Sequence, residues 1–252
     1  MSASPDQPAD SSWLRPALVA SWKEFVLVLV IFIGPFVWRS DWSALYGSSH
    51  GFLQRLLSDS LLLSNSAIES GLLALFLAFL HWRGWTKTDF KIKVGGSSTP
   101  QGIGLAILMG LGNALTVLGA LVVLFLLQNR YAQFVPFLAA NTPTVEPHSI
   151  HLSWMILLGS MILNAFFEEL ICIGYVFNQL AAKEGPRIAL VLTVLVRMSC
   201  HSYQGFVHML GIGAVFLITG LWYWRTRNLW PLIFAHALAD SVSLALLKMK
   251  FG

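Results

Sequence analysis

The sequence predicts an all-α fold, a polytopic transmembrane helical bundle of about seven spans. Three observations carry that reading. Of 252 residues, 56% are apolar and only 11% are charged, against about 25% charged in an ordinary soluble domain. Mean hydropathy is +0.68. The apolar residues come in long unbroken runs, where a β-barrel would show short alternating strands. Sixteen Lys and Arg with twelve Asp and Glu are too few to cover a soluble domain of this length. Disorder, a coiled coil, a disulfide-stapled secreted domain and an ordinary soluble enzyme are thereby excluded.

Each element follows in order. Residues 1–12 are polar, with two prolines and no cationic stretch, which predicts a disordered tail and not a signal peptide. Trp13 to Lys23 reads as an interfacial segment anchored by Trp13 and Trp22, or as an eighth span. The first span is expected at 24–38 and the second at 59–80, with Glu69 inside it. A basic loop occupies 81–101. The third span, 102–127, carries five glycines that permit close helix packing. Turn signals fill the loop 128–150. The fourth span, 151–182, is long and is broken by Gly185-Pro186. The fifth covers 187–201, the sixth 206–224 and the seventh 229–247. Three regions result: a tail and interfacial segment at 1–23, N-terminal spans at 24–149, and a C-terminal transmembrane domain at 150–248.

The net charge of +4 does not point to nucleic acid. Lys and Arg sit singly or in pairs at the ends of apolar runs, where they act as topology signals. With a cytoplasmic N-terminus, that side holds ten of them and the other side five, so the N-terminus is expected inside. Cys172 and Cys200 lie within apolar segments, without metal-like spacing, and read as free structural thiols. Most of the ten Trp lie near span ends, as an aromatic belt does.

Ionisable groups inside spans are costly and mark sites or pathways. Away from their edges the first three spans hold only Glu69. The last four hold Glu168, Glu169, Arg197, His201, His208, His236 and Asp240. At 1.5 Å per residue, Glu168 and His201 both lie roughly 21 Å from the cytoplasmic face, on consecutive antiparallel helices. His236 and Asp240 lie roughly 12–18 Å from that face, spaced i,i+4 on one side of a helix. Glu168 and Glu169 diverge by about 100°. One is therefore expected to face the site and the other a structural partner. Arg197 is the only cation deep in a span, and Glu169 is its natural anion. Asn164, a turn before Glu168, reads equally as a site partner or as helix–helix glue. Glu69 and His208 read as structural.

These residues form a pattern in chain order: Glu168-Glu169, then His201, then His236-Ala237-Leu238-Ala239-Asp240. The pattern resembles the CPBP family of intramembrane proteases, which groups CAAX proteases, including the Rce1-type prenyl endopeptidases, with bacteriocin-processing proteins. The resemblance covers about residues 150–245. Two positions depart from it. The family's Arg four residues after the second Glu is Ile173 here, and its Phe four residues before the His is Arg197. The cation and the apolar residue have changed places, which reads as a compensated exchange around one glutamate.

The resemblance implies proteolysis in or at the membrane. Glu168 would be the general base, and His201 would share or orient the water. His236 and Asp240 would form the oxyanion side, with Asp240 orienting His236. Glu169 and Arg197 would support them. Metal-free chemistry is favoured, and zinc on Glu168, His201, His236 and Asp240 is the alternative. Partners would be the bilayer and a membrane-embedded or membrane-associated protein or peptide; nothing in the sequence marks it as prenylated, and no nucleic acid is implied. The competing readings are an inactive scaffold or bacteriocin self-immunity protein of the same fold, and a proton-coupled transporter.

Overall fold

The computed structural model describes residues 13–46, 59–86, 88–89, 153–204 and 206–251, together with the helical positions Gly119, Val122, Leu126 and Arg130. Among the described residues it is all-helical. The expected third span at 102–127 and the loop 128–150 lie almost wholly outside them.

Helix α1 (Trp22–Phe32) starts at Ser21, whose hydroxyl accepts from the Glu24 amide at 3.2 Å. That is an N-cap with an acidic residue in the first turn. The expected first span is not one helix. It breaks at Ile33, and α2 runs from Gly34 to Tyr46. Pro35 is the cause: its ring lacks an N–H and would crowd the carbonyl of Ile31 in a continuous helix. The Ile33 carbonyl accepts from Phe36 and Val37 at 3.0 and 3.1 Å.

Helix α3 (Asp59–Trp82) ends in a Schellman motif. Gly84 sits at φ 77°, its amide donates to the His81 carbonyl, and the Trp85 amide donates to that of Leu80, both at 2.9 Å. Helix α4 (Trp154–Glu169) passes into a π-helical stretch, Leu170–Phe177, and then into α5 (Asn178–Glu184). Together they form one 31-residue rod, about 45 Å long. Gly185, at φ 85°, ends it, and Pro186 opens α6 (Pro186–Cys200). A 3₁₀ turn, Ser202–Gln204, leads to α7 (Phe206–Thr226), and α8 (Trp230–Phe251) closes the bundle.

The core is an aromatic stack around the π stretch, all eight residues of which are buried. Tyr175 lies against Phe76 at 5.6 Å and Phe25 at 6.5 Å between centroids. Phe177 lies between Trp13 at 5.3 Å and Tyr223 at 5.5 Å. Trp13 is therefore not the interfacial anchor that its position suggested; it is buried in the bundle, whereas Trp22 is half exposed. Aromatic partners outweigh the pull of an interface here.

The exterior is apolar. Among the described residues, two helices are long and apolar enough to cross a membrane, α3 and the α4–α5 rod. Only 11% of the most apolar window of α3 is buried. Val26, Val30, Leu63, Leu75, Met155, Ile162, Val191 and Leu195 all face outward. Such a surface is unstable in water and suits hydrocarbon.

Candidate active site

Four helices bring the intramembrane polar residues together. Glu168 and Glu169 end α4, Arg197 lies one turn before the end of α6, and His201 follows it. His236 and Asp240 lie on α8, and Glu69 faces them from α3.

Arg197 is the centre. Its Nη2 donates to Glu169 Oε1 at 2.6 Å and to Glu168 Oε2 at 3.4 Å. The two glutamates were expected to diverge, with only one reaching such a partner. Their side chains are long enough to bend toward one guanidinium. They still differ in surroundings: the Glu169 side chain is 2% exposed and that of Glu168 is 22% exposed. Ile173, where the resemblance would place a cation, is buried in the π stretch. The guanidinium reaches the same glutamates from α6 instead.

His236 lies between two carboxylates. Its Nδ1 is 2.9 Å from Glu169 Oε1 and its Nε2 is 3.3 Å from Asp240 Oδ2. The Asn164 amide donates to the same Asp240 oxygen at 3.4 Å. Asn164 is thus a site partner. Electrostatic contact links His236 to Glu168 and Asp240 to His201. His201 Nδ1 lies 2.8 Å from the Arg197 carbonyl. As a donor to that carbonyl, the ring keeps Nε2 as its acceptor.

Two groups of residues carried little signal in the sequence. The Phe216 ring of α7 takes the Arg197 guanidinium at 3.8 Å, His201 at 5.7 Å and His236 at 6.2 Å. A buried Phe in an apolar run has no distinguishing mark. The second group is the pair Ser40 and Asp41 on α2. The Ser202 hydroxyl donates to Asp41 Oδ1 at 2.6 Å and lies 2.9 Å from Ser40 Oγ, and the Tyr203 amide donates to Ser40 Oγ at 3.1 Å. This latch fixes the turn that leaves His201. Asp41, close to the Arg39 that ends the expected first span, was the available hint. Glu69, read as structural, is buried within electrostatic reach of Glu168, Asp240 and Arg39. The His208 side chain lies outside the described residues.

The residues named for zinc do not fit an ion as they stand. Both ring nitrogens of His236 face carboxylates. Among the described residues no three His, Cys, Asp or Glu side chains converge to hold a metal. Cys172 and Cys200 are free thiols.

Residues 150–242 match the family model described as type II CAAX prenyl endopeptidase Rce1-like. The match runs from the start of α4 into α8 and holds Glu168, Glu169, Arg197, His201, His236 and Asp240. The comparison with curated proteins gives no match, and neither does the comparison with solved structures.

Proposed function

We propose that this chain, which carries an Rce1-like domain, is an intramembrane endopeptidase that hydrolyses a peptide bond of a membrane-associated protein or peptide. The family match supports the protease reading. The observation that carries the residue roles is the asymmetry of the two glutamates. Glu169 is sealed in an ion pair, while Glu168 keeps partial access. A buried, paired carboxylate holds structure together; an accessible one beside an imidazole is the candidate base.

In this reading Glu168 takes a proton from water, and His201 Nε2 orients that water. The hydroxide attacks the scissile carbonyl carbon. Glu168 then returns the proton to the leaving amine as the C–N bond breaks. His236 stabilises the oxyanion through Nε2, Glu169 holds its ring at Nδ1, and Asp240 orients the ring before the oxyanion forms. Nε2 of His236 meets the oxyanion once Asp240 turns toward Asn164, which already donates to it. Glu169 and Arg197 keep the ends of α4 and α6 together. The N-terminus lies in the cytoplasm, and the substrate enters laterally or from that side.

The test compares membrane proteomes of cells that make the native protein or its Glu168→Gln variant. The substitution keeps shape and removes the base. Peptide termini present only with the native protein are expected. Identical termini, with both proteins equally abundant and folded, would refute the protease reading in favour of an inactive scaffold.

A further inference from the structure

Two helix ends form a cleft that the active site does not use. Where α1 begins and α3 stops, Lys23, Glu24 and Leu27 face Phe79, Trp82 and Arg83 across an open space of about 470 Å³. Further along, the Phe32 and Phe76 rings pack the two helices together, 5.0 Å apart between centroids. The Arg83 amide donates to the Phe79 carbonyl at 2.9 Å, so Arg83 continues the last turn of α3.

Residues four apart share one helix face. On α1 that spacing gives the row Lys23, Leu27, Ile31, and on α3 it gives Arg83, Phe79, Leu75. Each row starts with a cation at the rim and continues as apolar side chains. Leu27, Ile31 and Leu75 are 57%, 39% and 55% exposed. The described bundle therefore leaves both rows open to hydrocarbon. Trp82, 78% exposed, lies beside the Phe79 ring at 6.3 Å, the placement of a headgroup-level Trp.

The charge at the rim is not cancelled. Arg83 Nε donates to Glu24 Oε1 at 2.6 Å, which fixes the guanidinium in the cleft. Both side chains of this pair keep partial exposure. Among the described residues, neither Nη group of Arg83 nor the Lys23 ammonium has a hydrogen bond or an ion pair. Two cations against one carboxylate leave the rim positive. The two Nη groups form a planar fork that suits a pair of phosphate oxygens, and the Lys23 ammonium adds a point charge beside it.

We infer that this cleft is a binding site for an anionic phospholipid. The phosphate lies between Lys23 and Arg83, and an acyl chain runs along the Leu27–Ile31 and Phe79–Leu75 rows. Basic pockets between membrane helices take anionic headgroups in this way. A soluble anion would fill the rim and leave the apolar rows unused. A zwitterionic lipid would set its own cation against a positive rim. The site is independent of peptide hydrolysis, since it shares no residue with Glu168 and its neighbours.

The test needs no activity. The full chain in detergent is titrated with phosphatidylglycerol or phosphatidylcholine, and bound lipid is counted by native mass spectrometry. The native chain is expected to retain one phosphatidylglycerol in preference to phosphatidylcholine. Lys23→Gln and Arg83→Gln should each weaken phosphatidylglycerol binding roughly fivefold, the weight of one cation at a membrane surface. Neither should change phosphatidylcholine binding. Lys183→Gln removes a cation outside the cleft, one that lies over Trp22, and should leave both lipids unaffected. Lys23 is exposed and has no partner to lose, so its variant carries the test if Arg83→Gln fails to accumulate. Equal binding of the two lipids would overturn the site, as would a loss in Lys183→Gln equal to that in Lys23→Gln. Displacement of the bound lipid by inorganic phosphate or by a soluble oligoglutamate peptide would also overturn it, and would assign the rim to a free anion or to an acidic peptide.

Discussion

Arg197 shows how much one side chain holds in place. It is the cation shared by two glutamates and the partner of the Phe216 face. Removing it leaves Glu169 charged and buried with only His236 beside it. Breaking a buried pair from one side costs about 3–5 kcal/mol, while replacing both partners with apolar or neutral groups is often nearly neutral. Arg197→Met is therefore expected to destabilise the protein by about that amount, and adding Glu169→Gln should restore most of it. Unfolding in mild detergent titrated with SDS measures both. An Arg197→Met variant as stable as the native chain would show that the pair carries no structural weight. The convergence of Glu168, Arg197, His236 and Asp240 was legible in the sequence, because polar residues in apolar spans stand out and depth follows from counting residues. The partition between the two glutamates was not, since rotation about a helix says little about where a flexible side chain ends. Phe216 was silent for a simpler reason: it is one of 17 phenylalanines.

Between elements, two seams set the geometry. The first joins α6 to α7. A Cβ at Gly213 would lie 2.6 Å from the Met198 sulfur, and one at Gly220 would overlap the Leu190 side chain. The two glycines are seven residues apart, so they share a face and let the helices approach closely. Met198 follows Arg197 directly. Gly213→Leu is expected to cost about 1–3 kcal/mol through overpacking and to reduce Glu168-dependent cleavage by more than that loss of stability explains. Gly71→Leu, where a Cβ meets nothing within 4 Å, is the control expected to do neither.

The second seam straps the N-terminal segment to the bundle. Arg15 donates to both Asp89 oxygens, at 2.9 and 2.7 Å, and Gln179 bridges Leu18 and Ala20. Burial alone would raise the Asp89 pKa, but the hydrogen bonds from Arg15 and Thr86 outweigh it and hold the carboxyl below its ordinary range. The folded value is the lower one, so this contribution is complete above the unfolded value of about 3.9. It is lost as pH falls through the folded value. The protection of the Leu18 and Val19 amides, taken relative to free-peptide exchange at each pH, should therefore fall on acidification below about pH 4, and Asp89→Asn should abolish that acid-specific step. The runs that became helices were legible from hydropathy. The break at Ile33 had one mark in the sequence, Pro35, inside a run that hydropathy alone reads as continuous. The π stretch was hidden because a uniformly apolar run looks the same with i→i+4 or i→i+5 bonding.

At the scale of the whole molecule, the cations sort by end. Arg15 meets Asp89 beyond the end of α3, and Arg83 pairs with Glu24 at the start of α1 at 2.6 Å. Lys183, at the end of α5, lies over Trp22, and Arg227, after α7, lies over Trp13. Four elements thus deliver their basic ends to the pole where α1 begins. Counting along the chain puts these four cations on one side without any tertiary contact. Basic residues near span ends are retained on the cytoplasmic side, so this pole is expected to face the cytoplasm. Cysteines placed at Lys183 and Arg227 should then resist an impermeant thiol reagent applied to intact cells and react once the membrane is opened. One placed at Ser153, at the start of α4, should react from outside. The opposite pattern would invert the bundle and put the strap and the basic pole outside. It would leave the contacts among Glu168, Arg197, His236 and Asp240 unchanged, because those are internal to the bundle and independent of which face meets the cytoplasm.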